Sequence, residues 1–384
     1  MTRLRGIGIV GEASLKMLLL ILMGLVVLDI VIQGVCCIYA HRGAGASQAQ
    51  QSPRVVLSGS GSTFIYPEMK VWITRFEKEN PSISIIYNPT GSGTGQSQLL
   101  KEKVVDFACS DPPLSHEQYE KYKGQVLQMP VIIGAVAIVY KIPGYNGPLN
   151  LSAKVIAEIY LGKIKYWDDP EIARLNPRAK LPHAVIKVIH RSDASGTTEV
   201  FTFFLHKAAP SLWPASLVGK AIEWPVDSTG RGLGAKGNQG VAEYFKRLGS
   251  AIAYVELGYA LENKFPIAAI RNAAGRFVKP SPETMQAAVA SALRSGVLPD
   301  SPLADWSNAL NAIVYAPGEK AYPIVSFSFM MTWARYPAPK AAALKKFIEY
   351  INTVGQSEIV EGYAPIPQGL REINLKALSI IKGG

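Results

Sequence analysis

Three features of this sequence predict an α/β protein built on a mostly parallel sheet. Short apolar strands alternate with amphipathic helices along the body of the chain, the βαβ rhythm of parallel sheets. Three strand-to-helix connections are rich in small and hydroxyl residues: Gly59-Ser60-Gly61-Ser62-Thr63-Phe64, Thr90-Gly91-Ser92-Gly93-Thr94-Gly95 and Arg191-Ser192-Asp193-Ala194-Ser195-Gly196-Thr197-Thr198. The length of 384 residues exceeds what one hydrophobic core ordinarily organises, so two domains are expected.

The elements follow in order. Residues 47–53 read as a linker, and Val55–Leu57 forms a first strand that stops at the first glycine loop. Ile65, Met69, Trp72, Ile73 and Phe76 recur at helical spacing, which predicts a helix over Ile65–Asn80 with one buried face, ended by Pro81. Ile83–Tyr87 is the next strand. The second loop opens a helix to about Val104, and Val105–Cys109 is strand-like. The nearly continuous apolar run Val131–Tyr140 predicts a central strand. Leu151–Tyr160 reads as a helix and Val185–His190 as the strand that delivers Arg191. From Thr198 to about Lys207 a helix apolar on nearly all sides is predicted, hence buried. A helix at 240–247, a strand at 251–255, a helix at 282–295, a strand at Tyr322–Phe327 and helices from about Pro339 complete the chain. All three glycine loops thus fall at carboxyl ends of strands, where open parallel sheets bind ligands.

The chemistry of those loops points to an anion. A helix N-terminus offers unpaired N–H groups and the positive end of the helix dipole. Glycine allows close backbone approach, and Ser or Thr adds donors without charge. Three such loops, one led by an arginine, predict a single buried oxyanion held from several directions. Arg191 can also pair with the nearby Asp193, which would orient the guanidinium while leaving N–H groups for a ligand. Asp111, ahead of Pro112-Pro113, reads either as a turn residue or as part of the site. A carboxylate suits an anion site only if the anion brings a proton. Phosphate near neutral pH does; sulfate does not, and would leave a buried charge repelled and unpaired.

Other functions are excluded on composition and motif. The formal charge of +11 comes from scattered Lys and Arg with no basic helix or aromatic-interleaved tract, so nucleic acid is not an expected partner. A dispersed positive field equally favours capture of a small anion. Cys36 and Cys37 precede the body and leave Cys109 alone in it, and the five histidines form no ligand pattern, so neither a metal nor any other cofactor is expected. Gly232-Leu-Gly234-Ala-Lys-Gly237 matches the dinucleotide fingerprint literally, but a turn-like stretch precedes it; the residues read as a flexible turn before the helix near Gly240. No GxSxG elbow and no Walker loop occur, although Ser195 could in principle act on phosphate esters with His190 nearby.

The N-terminus predicts export. Arg3, Arg5 and Lys16 precede an apolar run over 17–40, long enough to span a bilayer. Asp29 within it costs about 3 kcal/mol at mid-membrane, which the surrounding Leu, Ile and Val outweigh. Cleavage after Ala40 or Ala46 and a retained anchor are both open, whereas Val35 before Cys36-Cys37 is bulkier than a lipid-attachment site usually takes.

At GSGSTF (59–64), GSGTGQ (91–96), VDFACSDPPLS (105–115), HRSDASGTTEVF (190–201), GLGAKGNQGVAEYFKR (232–247), AIAYVELGYA (251–260), DWSNA (305–309) and GYAPIP (362–367), the chain resembles the phosphate-binding proteins of high-affinity phosphate ABC importers. The resemblance runs in order over most of residues 54–370. It implies a type II periplasmic-binding-protein fold: two α/β lobes, each a mostly parallel sheet flanked by helices, joined by crossing strands and closing by a hinge. It implies a leader or anchor at 1–46, a linker at 47–53, one lobe at 54–139 completed by 322–384, and a second lobe at 140–321. Carried over residue by residue, Ser62, Thr63 and Phe64 would supply backbone N–H groups and a hydroxyl, Ser92 a further contact, and Asp111 the acceptor for the phosphate proton. Arg191, Ser195, Gly196 and Thr197 would close from the other lobe, with Asp193 steadying Arg191. Ser62 stands where alanine is frequent, and Cys109 where a small residue is usual. The expected protein is an extracytoplasmic, non-enzymatic, monomeric receptor for inorganic phosphate that serves membrane permease subunits and touches the membrane through its N-terminal segment. Arsenate, protonated like phosphate, is the alternative ligand.

Overall fold

The sheet of this protein turns on one long strand. The computed structural model describes residues 54–384; the expected leader and linker lie outside the described residues. The strands β1 (Val55–Gly61), β2 (Ile83–Asn88), β3 (Phe107–Ser110), β4 (Val126–Lys141), β5 (Lys187–Arg191), β6 (Gly232–Ala235), β7 (Ala251–Glu256), β8 (Val325–Trp333) and β9 (Tyr363–Ala364) form a single sheet. Its order is β2-β1-β3-β8-β4-β7-β5-β6, with β9 also against β4. The outer pairs β1–β2, β1–β3, β5–β6 and β5–β7 are parallel. The central pairs are antiparallel: β8 lies along Val126–Ala135 of β4, and β7 along Val136–Lys141. One strand therefore carries the hydrogen bonding of two parallel wings, the architecture of a two-lobed α/β fold with crossing strands.

Helices cover each wing. In the first, α1 (Tyr66–Glu79) buries Met69, Trp72 and Phe76. Phe76 lies 5.1 Å from Phe347 of the C-terminal helix Ala338–Asn352, and the Trp72 indole donates to the Gly355 carbonyl at 2.9 Å. The C-terminal return is thus packed back onto the N-terminal wing. In the second wing, the helix that follows β5, α2 (Gly196–Ala208), stacks Phe201 on Tyr254 of β7 at 4.4 Å and sets it edge-to-face with Tyr160 at 4.9 Å. Burying each such ring is worth about 1.5–3 kcal/mol, which fixes the helix and hence its N-terminus.

Several elements differ from the sequence expectation for identifiable reasons. Strand β1 continues through the glycines to Gly61, because Gly59 pairs with Tyr87 and Phe107 inside the sheet. A Cβ at Gly59 would sit 2.2 Å from the Phe107 ring, so this glycine makes room for an aromatic instead of making a turn. Strand β4 begins at Val126, ahead of Pro130, which would ordinarily end a central strand. Here Pro130 faces Phe329 where the β8 register shifts between Ser328 and Phe329. Strand β8 spans Val325–Trp333 and not Tyr322–Phe327, beginning after Pro323, which has no N–H to give a ladder. The helix after the second loop is α-helical only over Ser92–Ser97, widens to a π-turn over Gln98–Glu102 and stops at Lys103 in the left-handed region. The GxGxxG segment is no flexible turn: Gly232–Ala235 is edge strand β6, and the next helix, α3 (Gly237–Arg247), begins at Gly237. The dinucleotide reading still fails, since the stretch before β6 is a 3-10 turn over Pro225–Thr229.

Candidate anion-binding site

The three glycine loops meet, although β2 and β5 stand in opposite wings of the sheet. Gly93 N–H donates to the Ala194 carbonyl at 2.9 Å. A Cβ on Gly196 would fall 1.8 Å from the Asp111 carbonyl oxygen and 2.5 Å from Ser92 Oγ. The loop after β5 therefore lies directly on the loops after β2 and β3.

Asp111 is at the centre, 1% exposed. Its carboxylate receives Ser62 Oγ at 2.7 and 2.8 Å, Ser328 Oγ at 2.5 Å and Ser92 Oγ at 3.3 Å. Burial pushes the carboxyl up to about 6, against the opposing pull of those hydroxyls and of Arg191. Arg191, 3% exposed at the end of β5, donates Nε–H to Asp193 Oδ1 at 2.7 Å, Nη2–H to Asp193 Oδ2, and Nη1–H to Thr197 Oγ1 at 3.3 Å. Asp193 lies below its usual range: burial pushes it up, but Arg191 and the Gly237 N–H at 3.0 Å outweigh burial. Arg191 is thus held by the forked contact expected of it, with its charge directed at the Asp111 side of the loops.

The donors divide into two sets. Ser195 caps α2 by accepting the Thr198 N–H at 3.1 Å, and its own N–H goes to the Lys220 carbonyl at 2.8 Å. The N–H groups of Thr63, Ser92, Gly196 and Thr197 have no acceptor among the described residues. These are the backbone donors available to an anion. Ser62 and Phe64 depart from expectation: the Ser62 N–H goes to the Cys109 carbonyl at 2.8 Å, and the Phe64 N–H to Ser62 Oγ at 2.9 Å. The tight turn after β1 satisfies both groups internally, so neither is a free donor.

Two functional positions were not anticipated from sequence. Asn238, fully buried in the first turn of α3, donates Nδ2–H to Thr63 Oγ1 at 3.0 Å and to Thr197 Oγ1 at 3.1 Å, while its Oδ1 accepts the Glu256 N–H at 2.9 Å. It links the first and third loops to β7. Ser328 arrives from the distant strand β8. A cavity of about 180 Å³ adjoins these residues, lined by Thr63, Tyr66, Thr90, Asp193, Gly237 and Tyr259. Ser195 has no base: both His190 ring nitrogens face other partners, Nε2 to Asp227 Oδ1 at 2.8 Å and Nδ1 to the Arg191 carbonyl at 3.1 Å. The ester-hydrolase alternative loses its geometric requirement.

A sequence profile for the PBP superfamily domain matches residues 46–353. The chain is 38% identical to the phosphate-binding protein PstS of Methanocaldococcus jannaschii, over 97% of either chain. The chain belongs to this family. It is also 36% identical to PstS of Pasteurella multocida, over 81% of this chain and 86% of the relative. Among solved structures, a periplasmic phosphate-binding protein bound with phosphate superposes with a TM-score of 0.61 at 19% identity, covering 83% of this chain and 92% of its own. An ancestral soluble variant of the human phosphate-binding protein gives 0.63 at 20% identity, covering 86% and 99%. These structures carry the fold, the same two-lobed α/β architecture.

Behind the site, Glu256 is buried at the end of β7, accepting the Gly258 N–H at 2.8 Å and meeting the Tyr363 hydroxyl at 2.9 Å; that hydroxyl donates to the Phe64 carbonyl at 2.6 Å. Burial pushes the Glu256 carboxyl up to about 8. The folded state then retains a proton that the unfolded chain releases near its ordinary value, so this group's contribution is full at low pH and is lost as pH rises towards 8. In Glu256→Gln, the decline in stability between about pH 5 and about pH 8 should flatten relative to the parent. Denaturant unfolding of both proteins across that range checks this; parallel curves would rule it out.

Proposed function

We propose that this chain is an extracytoplasmic receptor that captures inorganic phosphate between its lobes and presents the closed form to an ABC-type importer. It performs no chemistry of its own. The observation that carries this reading is Asp111, a fully buried carboxylate set among hydroxyls in the same loop cluster as Arg191 and four uncommitted backbone N–H groups. Donors alone would suit any tetrahedral oxyanion; an acceptor beside them suits one that carries a proton. The names of the 36–38% identical relatives agree with it.

The direct contacts are Thr63, Ser92, Asp111, Arg191, Gly196 and Thr197, with Ser195 capping the helix that presents the last two. Ser62 and Phe64 build the turn that aims Thr63. The division of lobes is 54–139 with 322–384 against 140–321, hinged within β4 and its partners. Residues 1–46 export the chain and either tether it or are removed, and the receptor works as a monomer beside its permease. Among the described residues no helix is long and apolar enough to cross a membrane, so any tether lies in that leader.

The test is calorimetric titration of the full chain in detergent with phosphate and, separately, sulfate, after unfolding and refolding to remove bound ligand. Phosphate saturation with no sulfate response is expected. Binding of neither by refolded protein, or of sulfate alone, would overturn the assignment.

A further inference from the structure

We propose that Ser62 and Ser328 are specificity-determining positioning residues: they hold Asp111 as a carboxylate with one acceptor position left, so that the site accepts a tetrahedral anion bringing a single proton and rejects one bringing none. The proposal deepens the phosphate-receptor reading and rests on it.

The geometry of Ser62 leaves its proton no choice. Its hydroxyl oxygen accepts the N–H groups of Phe64 at 2.9 Å and Ile65 at 3.4 Å, which occupies both lone pairs. The hydroxyl hydrogen must then point away from the turn, and it lies between the two Asp111 oxygens, 2.7 and 2.8 Å distant. Ser62 can give a proton to Asp111 but cannot take one from it. Ser92 behaves similarly: its oxygen accepts the Asp111 N–H at 3.3 Å while its hydroxyl donates to Asp111 Oδ2 at 3.3 Å.

Ser328 is brought to the site by strand pairing, next to a fault on the opposite edge of its strand. Pro130 in β4 cannot donate to the ladder, and opposite it the register of β8 shifts between Ser328 and Phe329. On its other side β8 pairs with β3 in unbroken antiparallel register, Phe329 against Ser110, which sets Ser328 level with Asp111, and its Oγ donates to Oδ1 at 2.5 Å. A carboxylate offers about four lone-pair positions. Three hydroxyl protons, that of Ser62 shared between the two oxygens, serve these four positions, so the carboxylate is one donor short and the ligand's proton supplies it.

The other titratable groups bearing on Asp111 come from each neighbouring strand: Tyr87 of β2, Cys109 of β3, Arg191 of β5 and Glu256 of β7. Burial holds the Tyr87 hydroxyl and the Cys109 thiol neutral and pushes Glu256 up to about 8. Below neutrality Asp111 is the member of this group whose charge changes. Removal of either hydroxyl should let its proton return at a higher pH, and a protonated Asp111 donates where it formerly accepted, which admits sulfate.

The test compares the full chain with Ser62→Ala and Ser328→Ala, and with Ser328→Thr as the variant that keeps a hydroxyl. Phosphate and sulfate affinities are measured from about pH 5 to about pH 8. Each alanine variant should lose its preference for phosphate at a pH about one unit higher than the parent, with at least a roughly tenfold lower preference near pH 6; the threonine variant should stay with the parent. In parallel, carboxyl carbon shifts of aspartate-labelled, ligand-free protein should place the Asp111 midpoint higher in the alanine variants. An unchanged midpoint and acid limb in variants that melt like the parent would overturn the proposal. A parent that binds no phosphate would sink the receptor reading instead, and the ligand-free midpoints would still decide whether the hydroxyls hold Asp111 ionised.

Discussion

Replacing Gly196 with alanine is expected to weaken phosphate binding by roughly 100-fold, about 2.7 kcal/mol, while leaving the unliganded fold intact. The added methyl would lie 1.8 Å from the Asp111 carbonyl oxygen and 2.5 Å from Ser92 Oγ. The first of these is backbone and cannot rotate away, so the loop after β5 must stand off from the loops after β2 and β3. The Gly196 and Thr197 N–H groups then no longer reach an anion held by Thr63, Ser92 and Asp111. Intrinsic backbone preference is not at issue, because alanine is the better helix former and Gly196 opens an ordinary α-helix. Calorimetric affinity and the melting temperature without phosphate separate the two effects. Unchanged affinity would mean that the ligand is not held by loops closed on each other.

Asp111→Asn should reverse the selectivity of the site, lowering the preference for phosphate over sulfate by roughly 100-fold or more. The amide replaces an acceptor with a donor at the position where the ligand's proton is received. It also confronts Ser62, whose oxygen is already filled by the N–H groups of Phe64 and Ile65, with a group that accepts at only one of its two atoms. Phosphate loses a hydrogen bond and leaves polar atoms unpaired; sulfate loses a repulsion. Competition titrations with both anions at neutral pH measure the ratio directly. A variant that still excludes sulfate would show that the carboxylate is not what rejects it.

Most of the wings could be read from the sequence because their signals are local. Helical spacing over Met69, Trp72 and Phe76, or the apolar helix around Phe201, needs only neighbouring residues to be recognised. Arg191 and Asp193 were legible for the same reason, since a strand, a turn and a helix start follow each other in order. The less legible features depend on partners far away in the chain. Gly59 resembles a loop glycine until the Phe107 ring is placed against it. Ser328 sits in an apolar strand and reaches Asp111 only because β8 pairs antiparallel with the sequence-distant β3, a relation between strands that sequence periodicity does not encode. Asn238 follows a glycine run with the appearance of a turn, and its role is apparent only once Thr63 and Thr197 stand on either side of it. Ser62 and Phe64 were expected as ligand donors from the family resemblance; which N–H groups the turn satisfies itself depends on where the Cys109 carbonyl and the Ser62 hydroxyl fall.

The hydrogen bond from Gly93 to the Ala194 carbonyl supplies a clock for the molecule. It bridges the loops after β2 and β5, so on the proposed hinge motion its amide trades protium for deuterium only while those loops are apart. On that reading its exchange with phosphate present reports the fraction of time the loaded molecule stands open, and hence how readily it would give the ion up.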